Sequence, residues 1–265
     1  MSVLLCVVDR EVLGVTQLDD VVYIVCRSST IIRFNATTHE RLTDINVTGL
    51  SWTHDIAACQ QTSQLYLTDN WECVWRVSSD GEDIERWWTK SSSDTFSPYT
   101  LSVTSSHVLV TSPGTHELMQ LDAVGKQLRR VRLPCYMQYP YHSMQSATGS
   151  FIVSHVNTQL NNQCQVSEVN TAGEVLRHFS SSLGSTDHIA VDSQGNIFVA
   201  DLDSCCILLL DARLALRRVI IDEHQLNYKL PWRLCYNEQS AQLMVELRDI
   251  DSVGGGVAVF DVCHR

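Results

Sequence analysis

The chain has 265 residues, of which 44% are apolar and 18% charged, a composition typical of a folded domain and not of a disordered chain. Its net charge of −11 gives it no general attraction for nucleic acid or for an anionic membrane surface, so we expect neither as a partner. The sequence contains no run of about 20 apolar residues, the length that a membrane-spanning helix needs.

The first residues, MSVLLCVVDREV, contain only six consecutive apolar residues and no basic segment before them, which distinguishes them from a secretion signal. The ten cysteines include no CxxC pair and no Cys/His spacing of a zinc module. Most of them fall in predicted strands, where a free cysteine packs as a small apolar side chain. We therefore expect a reduced cytoplasmic protein without a cofactor.

A pattern of strand, turn, strand, loop and strand recurs along the chain at intervals of 41 to 45 residues. The first predicted strand of each copy contains one anchor residue, in chain order Val15, Ile56, Leu101, Met144, Ile189 and Leu234. Second strands are predicted at 21–25, 64–69, 107–112, 150–155, 196–201 and 242–246, and third strands at 30–35, 73–78, 117–122, 165–170, 206–211 and 257–261. More polar fourth strands are predicted at 40–45, 84–88, 127–133, 174–179 and 215–221. Turn sequences with glycine recur between the strands, at 80–81, 124–126, 172–174 and 194–195.

Four short strands per copy and a period of this length predict an all-β, six-bladed β-propeller that occupies residues 1–265 as a single domain. The predicted blades are 13–45, 53–90, 98–134, 141–180, 186–221 and 231–261. The last blade lacks a fourth strand, whereas residues 3–8 form a strand without a hairpin partner. We expect this N-terminal strand to complete the last blade and to close the ring, which removes an exposed sheet edge.

The fifth copy, DHIAVDSQGNIFVADLDSCCILLLDARLALRRVI, resembles an NHL repeat, whose pattern is GIAVDxxGNIYVAD followed by RIxxFD. Residues 54–81 are a weaker second example. The resemblance implies an NHL-like propeller, similar to the C-terminal domain of tripartite-motif (TRIM-NHL) proteins. In those ubiquitin ligases the propeller is the recognition domain and follows RING and B-box zinc modules, which this sequence lacks. The implied function is non-enzymatic binding of a protein partner in the ubiquitin pathway, by a monomer.

In such a propeller, the loops that enter the first strands and those that join second to third strands lie on one face. The residues two positions before the anchors are then expected at the mouth of the central channel, namely Leu13, His54, Tyr99, His142, Asp187 and Trp232. Loops between second and third strands add Asn70, Trp71 and Asp203. We predict that Trp71, Tyr99 and Trp232 bind the partner, because large aromatic residues dominate binding energies at interfaces. The surrounding residues predicted to assist them are His54, His142, Asp187, Asn70 and Asp203.

Two alternatives stay open for the polar residues. Asp69 and Asp201 follow second strands, where an aspartate often accepts hydrogen bonds from the turn. His54, His142 and Asp187 could instead hold a metal ion at the channel, as in an amidating lyase or a lactonase built on a similar propeller. Other enzyme classes receive no support, since the sequence contains no GxSxG turn, P-loop or dinucleotide fingerprint.

Overall fold

The computed structural model describes residues 2–8, 11–180, 185–186, 188–249 and 255–262. Within these ranges the chain forms six antiparallel sheets of four strands each. The helical content of the same ranges is one 3₁₀ turn, Thr158–Leu160. No helix in this part of the chain has the length and apolar character needed to span a membrane.

The strands follow the predicted repeat. The first three blades are β2 (Val12–Leu18), β3 (Val21–Cys26), β4 (Thr30–Asn35) and β5 (Ile45–Asn46); β6 (Thr53–Cys59), β7 (Gln64–Asp69), β8 (Cys73–Ser78) and β9 (Ile84–Thr89); and β10 (Thr100–Val103), β11 (Val108–Ser112), β12 (Glu117–Leu121) and β13 (Gln127–Arg132). The next two are β14 (Met137–Gln145), β15 (Phe151–Asn157), β16 (Gln163–Val169) and β17 (Val175–Phe179); and β18 (Ile189–Val191), β19 (Ile197–Asp201), β20 (Cys206–Leu210) and β21 (Leu216–Ile221). The sixth contains β22 (Leu230–Asn237), β23 (Gln242–Arg248), β24 (Gly255–Asp261) and the N-terminal β1 (Ser2–Val8).

The N-terminal strand closes the ring as predicted. β1 pairs with β24 in antiparallel register, with Val3 opposite Val259 and Val7 opposite Gly256. The backbone donors and acceptors along the outer edge of β24 are thereby paired with those of β1. The last blade therefore has four strands, like the others. The all-β, six-bladed propeller predicted from the period is confirmed.

The apolar core lies between the blades. Each of the six buried clusters in the described ranges joins two consecutive blades. One of them packs Val22 and Ile24 of the first blade against Met244 and Val259 of the sixth, so the packing continues across the point of closure. Alternating β-branched and aliphatic residues suit this arrangement, because each sheet buries both faces against its neighbours.

The fourth strand of the first blade is shorter than predicted. The sequence suggested residues 40–45, but the regular pairing is limited to Ile45–Asn46. An isolated bridge joins Phe34 to Arg41 upstream of it. Between the end of β4 and this bridge, the chain forms a turn at Asn35. The side-chain oxygen of Asn35 accepts hydrogen bonds from the backbone amides of Thr37 and Thr38.

Candidate functional site: the upper face and the channel

We call the face formed by the entries to the first strands and by the loops between second and third strands the upper face. At its centre lies a pocket of about 240 Å³. We call it the upper pocket. Its lining residues are Glu11, Leu13, Arg27, Trp52, His54, Trp71, Tyr99, Trp232, Arg233 and Arg248. The structure thus brings together four of the residues that were predicted to bind a partner, and adds three arginines to them.

A stack of three rings forms one wall of the upper pocket. The Trp71 and Tyr99 rings lie 4.8 Å apart at an interplanar angle of 5°. The buried His54 ring contacts both, at 4.2 Å from Trp71 and 5.3 Å from Tyr99. Trp71 is 38% exposed, in a three-residue turn between β7 and β8 where it and Asn70 both have positive φ. The turn therefore presents a large apolar surface to solvent, supported from below by the other two rings.

Asp69 positions a second tryptophan beside this wall. Its buried carboxylate accepts hydrogen bonds from the backbone amides of Ser51 (3.1 Å) and Trp52 (2.6 Å) and from the indole nitrogen of Trp75 (3.2 Å). Trp52 itself is 45% exposed. Asp69 was expected to cap its own turn, but its side chain instead holds the loop that enters the same blade. Asp201 does accept a hydrogen bond from its own turn, a long one of 3.4 Å from the backbone amide of Ser204.

Each of two arginines lies on a tryptophan at the rim of the upper pocket. The Arg27 guanidinium is 4.4 Å from the Trp52 ring, and that of Arg248 is 4.0 Å from the Trp232 ring. Glu11 joins the two cations, at 3.1 Å from Arg27 and 2.9 Å from Arg248. Such cation–π and ionic contacts fix planar groups in an orientation that leaves their edges open to a ligand.

A buried carboxyl lies below Arg248. Glu246 has no exposed surface and accepts a hydrogen bond from Arg248 Nε at 2.7 Å. Its other oxygen has no hydrogen-bond partner among the described residues. Burial raises the pKa of Glu246 to about 7, against the opposing charges of Arg248 and Arg233. The side chain therefore titrates near neutral pH, directly under one of the arginines of the upper pocket.

The remaining predicted residues are more dispersed. Asn70 is exposed, and its backbone N–H donates a hydrogen bond to the backbone carbonyl of Trp52 at 2.9 Å. Asp203 is exposed in the turn between β19 and β20, away from the lining of the upper pocket. Asp187 lies outside the described residues. His142 is not at the mouth but one layer deeper in the channel.

The depth of His142 follows from the strand register of the fourth blade. The pairs Ile189–Val199 and Leu101–Val110 show which residue of a second strand faces each anchor. In the fourth blade the equivalent position, Val153, pairs with Ser143 and not with Met144. The anchor assigned from sequence is therefore one residue too late, because the hairpin register of this blade, with Gln145 opposite Phe151, places Ser143 and not Met144 at the anchor position.

With this correction, one residue from each blade precedes its anchor and surrounds the channel at the same level. We call this set the channel ring: Gly14, Asp55, Thr100, His142, His188 and Arg233. All its side-chain-bearing members are buried. Gly14 is required here because a Cβ atom would lie 2.9 Å from the Ile56 nitrogen and 3.2 Å from the Asp55 carboxylate. The first blade thus leaves space for the Asp55 side chain of the second.

Asp55, His142 and His188 form a cluster within the channel ring, with candidate metal-ligating atoms that all lie within 4.8 Å of one another. Asp55 accepts hydrogen bonds from the amides of Ile56 at 3.0 Å and Leu101 at 2.9 Å. The two imidazoles stack with their centroids 3.7 Å apart. His54, which we considered as a metal ligand from sequence, is not a member of this cluster.

The electrostatics keep the histidines neutral. Burial lowers the pKa of His142 and of His188 well below the usual value, and the positive charge of Arg233 acts in the same direction on both. Burial and then Arg233 lower the pKa of His54 to about 4. Burial raises the pKa of Asp55, whereas Arg233 lowers it. At neutral pH each imidazole is therefore neutral, with one N–H group and one nitrogen lone pair that a hydrogen-bond donor or a metal ion can use.

Below the channel ring lies a second cavity of about 130 Å³. The first strands of all six blades line it, largely with aliphatic residues, and His142 and His188 lie at its upper end. The channel ring consequently separates an aromatic and cationic pocket above from a narrower apolar one below.

Sequence reasoning missed Trp52, Asp55, His188, Arg233 and Arg248 as site residues or gave them no role of their own. The sequence contained a signal for three of these residues. Asp55, His188 and Arg233 occupy the same place in the repeat, immediately before an anchor, and charged or ionisable residues are uncommon in inner strands. Trp52 lies in the loop before β6, and Arg248 is the last residue of the second strand β23, so the contacts that bring both to the upper pocket are provided only by the folded ring.

Comparisons with known proteins support the fold. No family model matches the chain, and no curated protein matches its sequence. Among solved structures it is similar to one described as a crystal structure of a nidogen/laminin complex, with a TM-score of 0.68 at 14% identity, over 86% of this chain and 85% of the other. It is also similar to the β-propeller domain of Cps50 (Swd1) from Myceliophteria thermophila, with a TM-score of 0.63 at 9% identity, over 95% of this chain and 84% of that one. At these identities the likeness shows the propeller fold alone.

Proposed function

We propose that the chain is a non-enzymatic protein-interaction propeller that binds its partner through the upper pocket. The observation that carries this proposal is the Trp71–Tyr99–His54 stack, which opens to solvent beside Trp52. Exposed aromatic residues with arginines around them are the composition of interface hot spots. The apolar surface is held rigidly by stacking, so little side-chain freedom is lost when a partner covers it.

The exposed aromatic residues favour the upper face over the rest of the surface. Trp52, Trp71 and Tyr228 all lie in loops of this face. Exposed aliphatic residues such as Leu216 and Val219 instead lie on an outer strand of a blade. Isolated aliphatic residues are common on any protein surface, whereas grouped aromatic residues point to an interface.

We extend the proposal to the type of partner system. The NHL-like sequence of the fifth blade supports a recognition propeller related to those of tripartite-motif ubiquitin ligases, acting as a monomer in the cytoplasm. One of the similar solved propellers comes from a structure described as a nidogen/laminin complex, which agrees with a protein partner. The acidic composition agrees with the absence of a nucleic-acid partner.

The test is capture of partners with the tagged chain, followed by affinity measurements with each purified partner. We expect Trp71→Ala to weaken binding by about 2 kcal/mol, or roughly 30-fold, because it removes a stacked and exposed aromatic side chain. Leu216→Ala is the matched control, since it removes an exposed apolar side chain from an outer strand. Equal affinities of the Trp71→Ala variant and the wild type for every captured partner would place the interface elsewhere.

A further inference from the structure

We propose that Asp55, His142 and His188 bind one divalent transition-metal ion in the channel, and that their donor set selects Zn²⁺. Two imidazole nitrogens and one carboxylate oxygen are a common set for a zinc ion with a fourth position left open. The proposal is independent of partner binding at the upper pocket, because the three residues lie below it.

The first supporting observation is the state of the two histidines. His142 Nδ1 and His188 Nε2 are buried and have no hydrogen-bond partner among the described residues. A buried imidazole nitrogen without a partner is costly, because it has lost water and gained nothing in exchange. One ring nitrogen of each histidine and one Asp55 carboxylate oxygen lie within 4.8 Å of one another, and His188 Nε2 is 3.9 Å from Asp55 Oδ2, so a single ion bound among the three side chains would supply the missing partners.

His142 has the surroundings of a metal ligand. Its Nε2 lies 3.3 Å from the Leu101 carbonyl, to which it donates its proton, and this leaves the lone pair on Nδ1. Metal-binding histidines usually donate their second nitrogen to a carbonyl or a carboxylate in this way. Asp55 is oriented similarly, because the amides of Ile56 and Leu101 hold its two oxygens.

His188 requires a small rearrangement. Its Nε2 lies 3.9 Å from Asp55 Oδ2, whereas two ligand atoms on one tetrahedral zinc ion are about 3.3 Å apart. Ligation through Nε2 places the ring proton on Nδ1, so the 3.3 Å contact that Nδ1 receives from the Leu234 amide is given up. The stacked rings also have to separate, and the lower cavity beside them provides space for this movement.

The charges around the cluster define its fourth ligand. Arg233 is the cation that faces the cluster from β22, and its charge acts on both Asp55 and His188. A divalent ion held by one carboxylate and two neutral imidazoles leaves net positive charge beside this arginine. The open position therefore favours an anion or hydroxide over neutral ligands.

The experiment measures metal content and affinity in the full-length protein. The chain is loaded with Zn²⁺, dialysed against metal-free buffer and analysed by elemental mass spectrometry, with affinity from competition against a chromophoric chelator. The variants are His142→Gln and His188→Gln, with His155→Gln as the matched control. His155 is likewise fully buried and has an unpartnered Nδ1, but its Nε2 is paired with Ser167 Oγ at 2.8 Å, outside the cluster.

We expect about one equivalent of zinc in the wild type and in the control, and at least a tenfold loss of affinity in either cluster variant. Substitution with Co²⁺ should give ligand-field bands without a thiolate charge-transfer band, since no cysteine belongs to the cluster. A wild type without stoichiometric zinc would overturn the proposal even if the variants failed to fold. Zinc that persists in both cluster variants would also overturn it, because the ion would then be bound elsewhere, and a thiolate band would overturn it by identifying cysteine ligands.

Discussion

The upper and lower faces of this propeller use the same residue type for different purposes. On the upper face, Asp69 ends the second strand of its blade and binds Ser51, Trp52 and Trp75, which are six to eighteen residues away. On the lower face, Asp122 ends a third strand and binds only its own turn, through the amides of Val124 and Lys126. Asp69 thus positions segments that are distant in sequence, whereas Asp122 stabilises its own turn.

The same local hydrogen bonds between a side chain and its own turn recur in other blades on the lower face. The side chains of Asn170, Asp192 and Asp211 each accept hydrogen bonds from amides two and four residues later, in the manner of Asp122. Glycines with positive φ complete several of these turns, as at Gly125 and Gly173. The described loops of the upper face show no such repeat, so each of them can carry a different side chain toward the channel. Variation is concentrated where binding is proposed, which is common for loops on a rigid scaffold.

The largest expected effect is that of Asp69→Ala. Removing the carboxylate leaves three buried or half-buried donors without their acceptor and releases the loop that carries Trp52, so we expect unfolding to become easier by about 4 kcal/mol. Chemical denaturation monitored by tryptophan fluorescence measures the change. The Asp69→Asn variant retains one acceptor oxygen and should lose about half as much; a loss below 1 kcal/mol in Asp69→Ala would remove the distinction between the two faces.

The second effect concerns pH and Glu246. Its pKa is raised from 4.5 to about 7 by burial, so the folded chain holds this proton more tightly than the unfolded chain does. The resulting stabilisation is complete below about pH 4.5 and is lost as the pH rises to about 7. Over this interval the free energy of unfolding of the wild type should fall by about 3 kcal/mol relative to Glu246→Gln.

The Glu246→Gln variant is its own control in this comparison, because Gln can still accept the hydrogen bond from Arg248 but does not titrate. Other groups titrate in both proteins and cancel from the difference. Denaturation curves at half-unit pH steps give the result. If the free energies of unfolding of the two proteins changed in parallel with pH, Glu246 would ionise as an ordinary carboxyl. Its ionisation would then not make the stability of the fold at the upper pocket depend on pH.

The smallest effect is expected for Asp122→Ala on the lower face. It removes two hydrogen bonds within one half-exposed turn whose amides water can reach, so a loss of about 1 kcal/mol is expected. Partner affinity should not change, since this turn is on the opposite face from the upper pocket. A loss as large as that of Asp69→Ala would show that the lower turns also organise distant segments.

Much of the candidate site was accessible from the repeat, and the exceptions have specific causes. The rule that residues before the anchors line the channel placed His54, Tyr99 and Trp232 in the upper pocket lining. It misplaced His142 by one layer because the anchor in β14 was assigned one residue too late, and the hairpin register that fixes the anchor, with Gln145 opposite Phe151, is not marked by any residue type in the sequence. The other two predicted metal ligands, His54 and Asp187, precede the clustered residues Asp55 and His188 by one position, because the residue immediately before the anchor, and not the one two positions before it, faces the channel at this level.

The sequence by itself determined the six-bladed ring, its closure by β1 and the turns of the lower face. These features depend on strand periodicity and on hydrogen bonds between residues close in the chain, both of which can be read locally. Only the tertiary structure decided that Asp55, His142 and His188 meet, and that Arg248 lies on Trp232. Asp55, His142 and His188 come from three different blades, and Trp232 lies in an irregular part of β22 next to the end of β23. Their distances therefore depend on how the ring closes, on strand register and on side-chain packing.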